Sequence, residues 1–259
     1  MREVEIMNKL MKHKELVCEK YGETNVLGVF LYGSQNYGLN TETSDVDTKA
    51  IIVPRFEDLV KCKSVSVELT LPELDNAHCE VKDIREMVFN YKKTNINFIE
   101  TMFTEYFWVN PRYEEFWNKY IIKNRELLTR YNENYTVLSL CGQFQHTLKQ
   151  LRNNPSQKKA ANCIFLENFL VEYLGKSPYI TCIYPRRILR DYLKDVKTGN
   201  IKIPYAYLNK LEKEMLNFKL FAECSVYENN QKKCDKIYDA FIMEVIKYNC
   251  GSDFNVLIW

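Results

Sequence analysis

Glycine and proline are scarce, with eight and seven residues in a chain of 259. That scarcity excludes collagen-like, low-complexity and extensively disordered chains, which need far more of both. Paired cysteines are missing as well: there are nine cysteines, an odd number, and no two form a CxxC pair. The three histidines, His13, His78 and His146, are scattered, so neither a zinc cluster nor a disulfide framework is expected. Reduced cysteines suit a reducing cytosol, and a cytoplasmic location is the expectation. No apolar run approaches the length of about 18 residues that a membrane span needs. Charges run through residues 1–22, MREVEIMNKLMKHKELVCEKYG, so no signal peptide is expected either. A strong charge of one sign is also lacking. The formal net charge is +2, so any surface for nucleic acid has to be local.

What is present is a hydrophobic content of 46%, enough for a sizeable core, with 18 tyrosines and 14 phenylalanines. Val4, Met7, Leu10, Met11 and Val17 recur at helical spacing over residues 3–20. Strand-forming runs follow at 26–32 (VLGVFLY), from Asp45 to Pro54, at 64–71 (SVSVELTL) and at 78–82 (HCEVK). Asp83 and Glu86 have the spacing of a capping box, ahead of a helix striped by Ile84, Met87, Val88 and Tyr91. A second helical stretch is expected at 97–103. Beyond about residue 125 the helical period dominates, as in Val137, Leu140, Cys141, Phe144, Leu148 and Leu151, and strand alternation fades. The expected fold class is α+β: a small mixed sheet flanked by helices over residues 1–125, a helical domain over 126–259, and a cleft between them.

The chemistry concentrates in LYGSQNYGLNTETSDVDTKAIIV, residues 31–53. Gly33 follows a strand and permits close backbone approach to a ligand, while Ser34 adds a hydroxyl. A short helix starting there would aim free N–H groups at an anion such as a phosphate. Asp45 and Asp47, two residues apart at the mouth of the next strand, share one face, with Val46 turned to the core. Two neighbouring carboxylates repel unless a cation lies between them, and hard oxygen donors suit Mg2+, with Mn2+ as a substitute. A third carboxylate on a neighbouring strand would complete a clamp for two ions. Glu80 is the candidate, with Asp83 as the alternative; Asp83 also has a capping role. Lys49 shares the parity of Asp45 and Asp47 and is placed to neutralise either a carboxylate or a phosphate. His146, on the apolar-striped helix, reads as a partly buried structural residue.

The arrangement G-S-Q-N-Y-G…S-D-V-D resembles the signature of the DNA polymerase beta nucleotidyltransferase superfamily. Within it, the GSxxYG…SDxD form is similar to predicted nucleotidyltransferases of an RNA-repair-associated branch of bacteria and phages. The segment KDIREMVFNYKKTNINFIETMF (82–103) resembles that branch's strand-to-helix element: Asp83, Ile84 and Arg85 match its start, and Asn95 and Glu100 its later part. Thr94 and Ile96 replace the branch's glycine and proline. KKAANCIFLENFL (158–170) loosely resembles a helical stretch of the branch, with Asn162 and Phe165 where a histidine and an arginine are expected.

The resemblance implies attack of an acceptor hydroxyl on the α-phosphorus of a nucleoside triphosphate, with release of pyrophosphate. Asp45, Asp47 and Glu80 would hold two Mg2+ ions, and Gly33 and Ser34 would grip the β- and γ-phosphates. Relatives also present a basic residue from the helical half to the triphosphate, a role that falls to Lys158 or Lys159, with Lys49 as a further contact. The implied acceptor is an RNA end such as that of tRNA, served by a local basic face drawn from Lys149, Arg152, Lys158, Lys159, Arg186, Arg187 and Arg190. Transfer to a protein or small molecule, and nucleotide binding without catalysis, are the alternatives.

Overall fold

The computed structural model of the chain describes residues 3–41, 44–71, 77–224 and 229–254. Five strands form one mixed sheet: β1 (Val26–Tyr32), β2 (Asp47–Ile52), β3 (Ser66–Leu71), β4 (Ala77–Asp83) and β5 (Phe107–Val109), in the order β3-β4-β2-β1-β5. Only the β2–β4 pairing is parallel; the other three are antiparallel. The helices of the first half are α1 (Glu3–Tyr21), α2 (Phe56–Val60), α3 (Ile84–Lys92), α4 (Ile96–Ile99), α5 (Glu114–Phe116) and α6 (Arg125–Leu128). Six more follow among the described residues: α7 (Glu133–Asn153), α8 (Gln157–Leu174), α9 (Tyr179–Ile183), α10 (Arg187–Thr198), α11 (Tyr205–Cys224) and α12 (Gln231–Phe254). This is the α+β class expected from the sequence, with a helical C-terminal part. No described helix is long and apolar enough to cross a membrane.

Strand alternation sends side chains to two different cores. Val29, Leu31, Ala50, Ile52, Cys79 and Val81 pack with Ile6, Leu10 and Val17 of α1. Phe30 and Ile51 point the other way, into a larger core with α3, α7, α8 and α12. Both sheet faces are therefore covered over most of their area. The opening lies at the end of the second face, where Tyr32 of β1 stands opposite Asp47 of β2.

Several local expectations need correction. β5 was not anticipated; it pairs Phe107–Val109 with β1 at the sheet edge. The stretch 97–103 is a single α-turn, Ile96–Ile99, continued by a 3-10 turn over Glu100–Met102. No helix begins at Ser34. Residues 33–39 form a compact turn in which Tyr37 N–H donates to Gly33 O and Leu39 N–H to Ser34 O.

Candidate active site

Asp45 and Asp47 flank the entry of β2, and the chain between them alternates as a strand entry should. Asp45 is exposed, Val46 is fully buried against α1, and Asp47 is half-buried. The Asp47 Oδ1 accepts the His78 N–H at 3.2 Å, which fixes the carboxylate against the start of β4. Burial raises the Asp47 pKa above the ordinary carboxylate value, and the nearby Asp45 charge raises it further. The pair thus carries a repulsion that the protein does not relieve by hydrogen bonding alone.

The turn after β1 sits beside these carboxylates. Gly33 has φ +83°, a left-handed conformation that costs glycine little, and a β-carbon there would meet nothing within 4 Å. Its glycine is required by the backbone angle, and the space in front of it is open. The Ser34 and Gln35 amides have no acceptor among the described residues, so two N–H groups remain for a ligand. The segment returning to Asp45 is held by Gln35 Nε2 on Ser44 O (3.0 Å) and by Ser44 Oγ, which accepts the Thr41 N–H (2.9 Å). Glu42 and Thr43 of the motif lie outside the described residues.

Beneath this turn is a residue that the sequence reading quoted without giving it a role. Glu100 is wholly buried, and its Oε2 accepts the Gly33 N–H (3.0 Å) and the Asn36 Nδ2–H (3.1 Å). Asn36 Oδ1 in turn accepts the Tyr184 hydroxyl (3.0 Å), which ties the turn to the helical part. Burial pushes the Glu100 carboxyl up to about 7, against the downward pull of those hydrogen bonds and of the neighbouring Tyr37 hydroxyl.

The facing wall comes from α8 and α10. A cavity of about 470 Å3 is lined by Ser34, Tyr37 and Asp47 on one side and by Ser156, Lys158, Lys159 and Lys197 on the other. An adjoining cavity of about 700 Å3 brings Ser34, Asp45 and Asp47 against Lys158, Lys194 and Lys197. Lys197 Nζ donates to Leu39 O (2.8 Å) and Ser44 Oγ (3.3 Å). Burial lowers its pKa to about 8, and the positive charges of Lys158 and Lys194 add to the shift. Lys158 and Lys159 stand in the first turn of α8, where the helix dipole disfavours cations. Lysines crowded at a helix start face two carboxylates across the cleft, so the site presents charges of both signs.

Not every residue singled out in the sequence joins this cleft. Lys49 is almost fully buried, ion-paired with Glu80, and its Nζ lies 4.0 Å from the Tyr32 ring centroid. Of its two possible partners it meets the carboxylate, and it lines neither cavity. Glu80 stands opposite Lys49 in the parallel β2–β4 register, on the same sheet face as Asp47. It also pairs with Lys82. Burial works against its charge, but the two lysines hold its pKa below the ordinary glutamate value.

Asp83 stands opposite Ile52, at the far end of β2 from Asp47. It caps α3 by accepting the Arg85 N–H at 2.8 Å and also pairs with the Arg85 guanidinium, rather than using Glu86 in a capping box. Arg152 is engaged by Glu212. His146 is exposed, not part-buried, and bonds Gln150. Lys194 and Lys197, which the sequence reading did not select, are in the cleft.

Asp45 and Asp47 offer hard oxygen donors in a partly desolvated, mutually repelling pair. That set fits Mg2+, which keeps several waters and takes phosphate oxygens alongside one or two carboxylates. Among the described residues, no three His, Cys, Asp or Glu side chains converge on one point. Glu80 is thus not assembled with the aspartates in this state.

Residues 10–123, which include all five strands and the Gly33–Asp47 segment, match the model of the nucleotidyltransferase domain family. The match supports the superfamily read from the motif, and nucleotidyl transfer as the general activity. The search of curated proteins gave no match.

Proposed function

We propose that the chain transfers a nucleoside monophosphate from a nucleoside triphosphate to an acceptor hydroxyl, releasing pyrophosphate, with Mg2+ held by Asp45 and Asp47. The observation that carries this reading is the cleft itself, where Ser34, Asp45 and Asp47 face Lys158, Lys194 and Lys197. The Ser34 and Gln35 amides and the Ser34 hydroxyl take the β- and γ-phosphates, and Lys158 and Lys197 neutralise them from the opposite wall. Bound Mg2+ ions would supply Lewis-acid stabilisation of the phosphorus and activation of the attacking hydroxyl. Asp45 and Asp47 orient that chemistry, Glu80, on the same sheet face as Asp47, is the proposed third carboxylate, and Glu100 keeps the phosphate turn in shape.

Gly33→Val tests the turn. A β-branched residue at φ +83° is strained by roughly 1–3 kcal/mol, and its side chain fills the open approach. Triphosphate affinity, measured by calorimetry with a non-hydrolysable analogue and Mg2+, is expected to fall by about tenfold or more. Ser34→Ala should cost less, because the amides remain. Undiminished binding by Gly33→Val would remove the phosphate from this turn.

For the acceptor we propose an RNA end, following the resemblance to the RNA-repair branch. Arg187, Arg190, Lys194 and Lys197 recur at three- and four-residue spacing on one face of α10, which makes them neighbours on the helix surface. The inner end of this row is in the cleft, and the Arg190 stem lies over Gly38 so closely that a β-carbon there would meet its Cδ at 3.0 Å. Arg186 and Arg187 lie at the exposed outer end, in a helix start that disfavours cations, where Arg187 has Asp191 beside it at 3.6 Å.

Changing both Arg186 and Arg187 to glutamate is expected to cut RNA labelling and flatten its salt dependence by about one counterion per lost contact. Free nucleotide binding should be unchanged. The assay incubates the protein with Mg2+, each α-labelled nucleoside triphosphate, and total cellular RNA and protein. Label in RNA supports the reading, and label confined to protein or small molecules overturns the acceptor.

A further inference from the structure

Next to the phosphate cleft is a second cavity, of about 420 Å3, between the Asn95–Asn97 segment and the facing sides of α7 and α8. The two cavities share Tyr37, Thr147, Asn162 and Phe165, so they adjoin across those side chains. Their chemistry differs sharply. The first is rich in lysine and includes Asp47, whereas no lysine, arginine, aspartate or glutamate lines the second.

Its polar groups are the amides of Asn95, Asn97, Gln143 and Asn162, with His146 and Thr147, and two of the amides are anchored at one end. Gln143 Nε2 donates to Asn95 Oδ1 at 3.4 Å, and Asn162 Nδ2 donates to Thr147 Oγ1 at 3.3 Å. Both keep a carbonyl acceptor and a second N–H for a ligand. The shared wall is aromatic, with Tyr37 and Phe165 stacked at 5.0 Å between ring centroids.

Gly142 supplies an independent observation. It lies in the interior of the 21-residue helix α7, where glycine is a poor helix former. No packing demands it, because a β-carbon at 142 would meet nothing within 4 Å. What the missing side chain leaves is room in this cavity, whose wall it forms. Position 142 is exposed, and the missing side chain leaves the cavity open on the α7 side, next to the amides and the ring wall.

We infer that this cavity is the subsite for the heterocyclic base of the nucleotide, with Gln143 and Asn162 reading its polar edge and the Tyr37–Phe165 wall taking part of its face. The inference rests on the proposed function, which puts the triphosphate in the adjoining cleft. Neutral amides suit a base, which carries donors and acceptors but no net charge, and the volume lies within the range of small-ligand sites.

Gly142→Leu and Gln143→Leu, at residues that line the second cavity and not the phosphate cleft, test it, by calorimetric titration with each of the four nucleoside triphosphates and with inorganic tripolyphosphate, all with Mg2+. Gly142→Leu fills the cavity from an exposed helix position and is expected to keep or raise Tm, since leucine is the better helix former. Both variants should lose about tenfold or more in affinity for the preferred nucleoside triphosphate, while tripolyphosphate binds as to the unaltered protein. Unchanged nucleotide affinity in both variants would overturn the base subsite. So would an unaltered protein that binds tripolyphosphate as tightly as any nucleoside triphosphate, and in that case the phosphate cleft would stand. Failure of the unaltered protein to bind either ligand would overturn the proposed function and the subsite with it.

Discussion

Asp47→Asn or Asp45→Asn is expected to lower nucleotide transfer by roughly a hundredfold or more, while the thermal transition stays in place or rises slightly. The two readouts separate because the carboxylates do little for the fold. Asp45 is exposed, and the one backbone bond to Asp47, from His78 N–H, can be accepted equally well by an asparagine carbonyl. Burial and the charge of Asp45 already push the Asp47 pKa upward, which means that its ionised form is held at a cost. Removing either charge relieves that repulsion and takes away half of the donor pair for the metal. A variant that kept half of the original turnover would remove the aspartates from the chemistry. A variant that lost activity only by unfolding would leave their role to the fold instead.

Glu100→Gln is expected to change the pH dependence of stability by an amount comparable to a buried ion pair. In the folded chain the Glu100 carboxyl titrates near about 7, against about 4.3 when unfolded. Between those values the folded state holds a proton that the unfolded state has lost, so this group makes stability fall as pH rises through the window. Well above the folded pKa the loss is complete and amounts to about 4 kcal/mol.

His13 works in the opposite direction. Burial lowers its pKa to about 4, so the unfolded state binds the extra proton between about 4 and 6.5, and stability rises with pH there. Comparing Glu100→Gln with the unaltered protein at each pH cancels the His13 contribution. The glutamine carbonyl can still accept from Gly33 and Asn36, so the phosphate turn is expected to survive. Denaturant unfolding from pH 5 to 8 should show the variant gaining on the original as pH rises. Parallel stability curves would mean that Glu100 is ionised at little cost and that its burial has been misread.

Much of this site was legible because its pieces are local. The alternation of Asp45, Val46 and Asp47 follows from strand geometry alone, and the structure keeps it, with Val46 buried and the two carboxylates turned away. Gly33 was marked by its place at the end of an apolar run, and its positive φ supplies the reason. Lys49 was readable only halfway: parity put it on the face of Asp47, but the choice of Glu80 as partner depends on the parallel β2–β4 register across 31 residues of chain.

The parts that were not legible are set by distance in sequence. Lys197 meets Ser44 and Leu39 only because α10 packs on α8 and returns to the turn. Glu100 fixes Gly33 from 67 residues away, a contact with no local signature. β5 is three residues at an edge, too short to alternate, and only its pairing with β1 makes it a strand. Around Ser34 the chain forms a turn in place of the short helix considered from the sequence, with Glu100 accepting the Gly33 amide and Gln35 bonded to Ser44 O.

The most direct measurement of the central claim compares the same nucleoside triphosphate labelled at the α- and at the γ-phosphorus, with Mg2+ and cellular acceptors present. The account predicts that the α-label enters an acid-stable product in one-to-one proportion with released pyrophosphate, and that the γ-label leaves entirely in the pyrophosphate. Transfer of the γ-label to an acceptor, or release of inorganic phosphate in place of pyrophosphate, would contradict nucleotidyl transfer in the Asp45–Asp47 cleft.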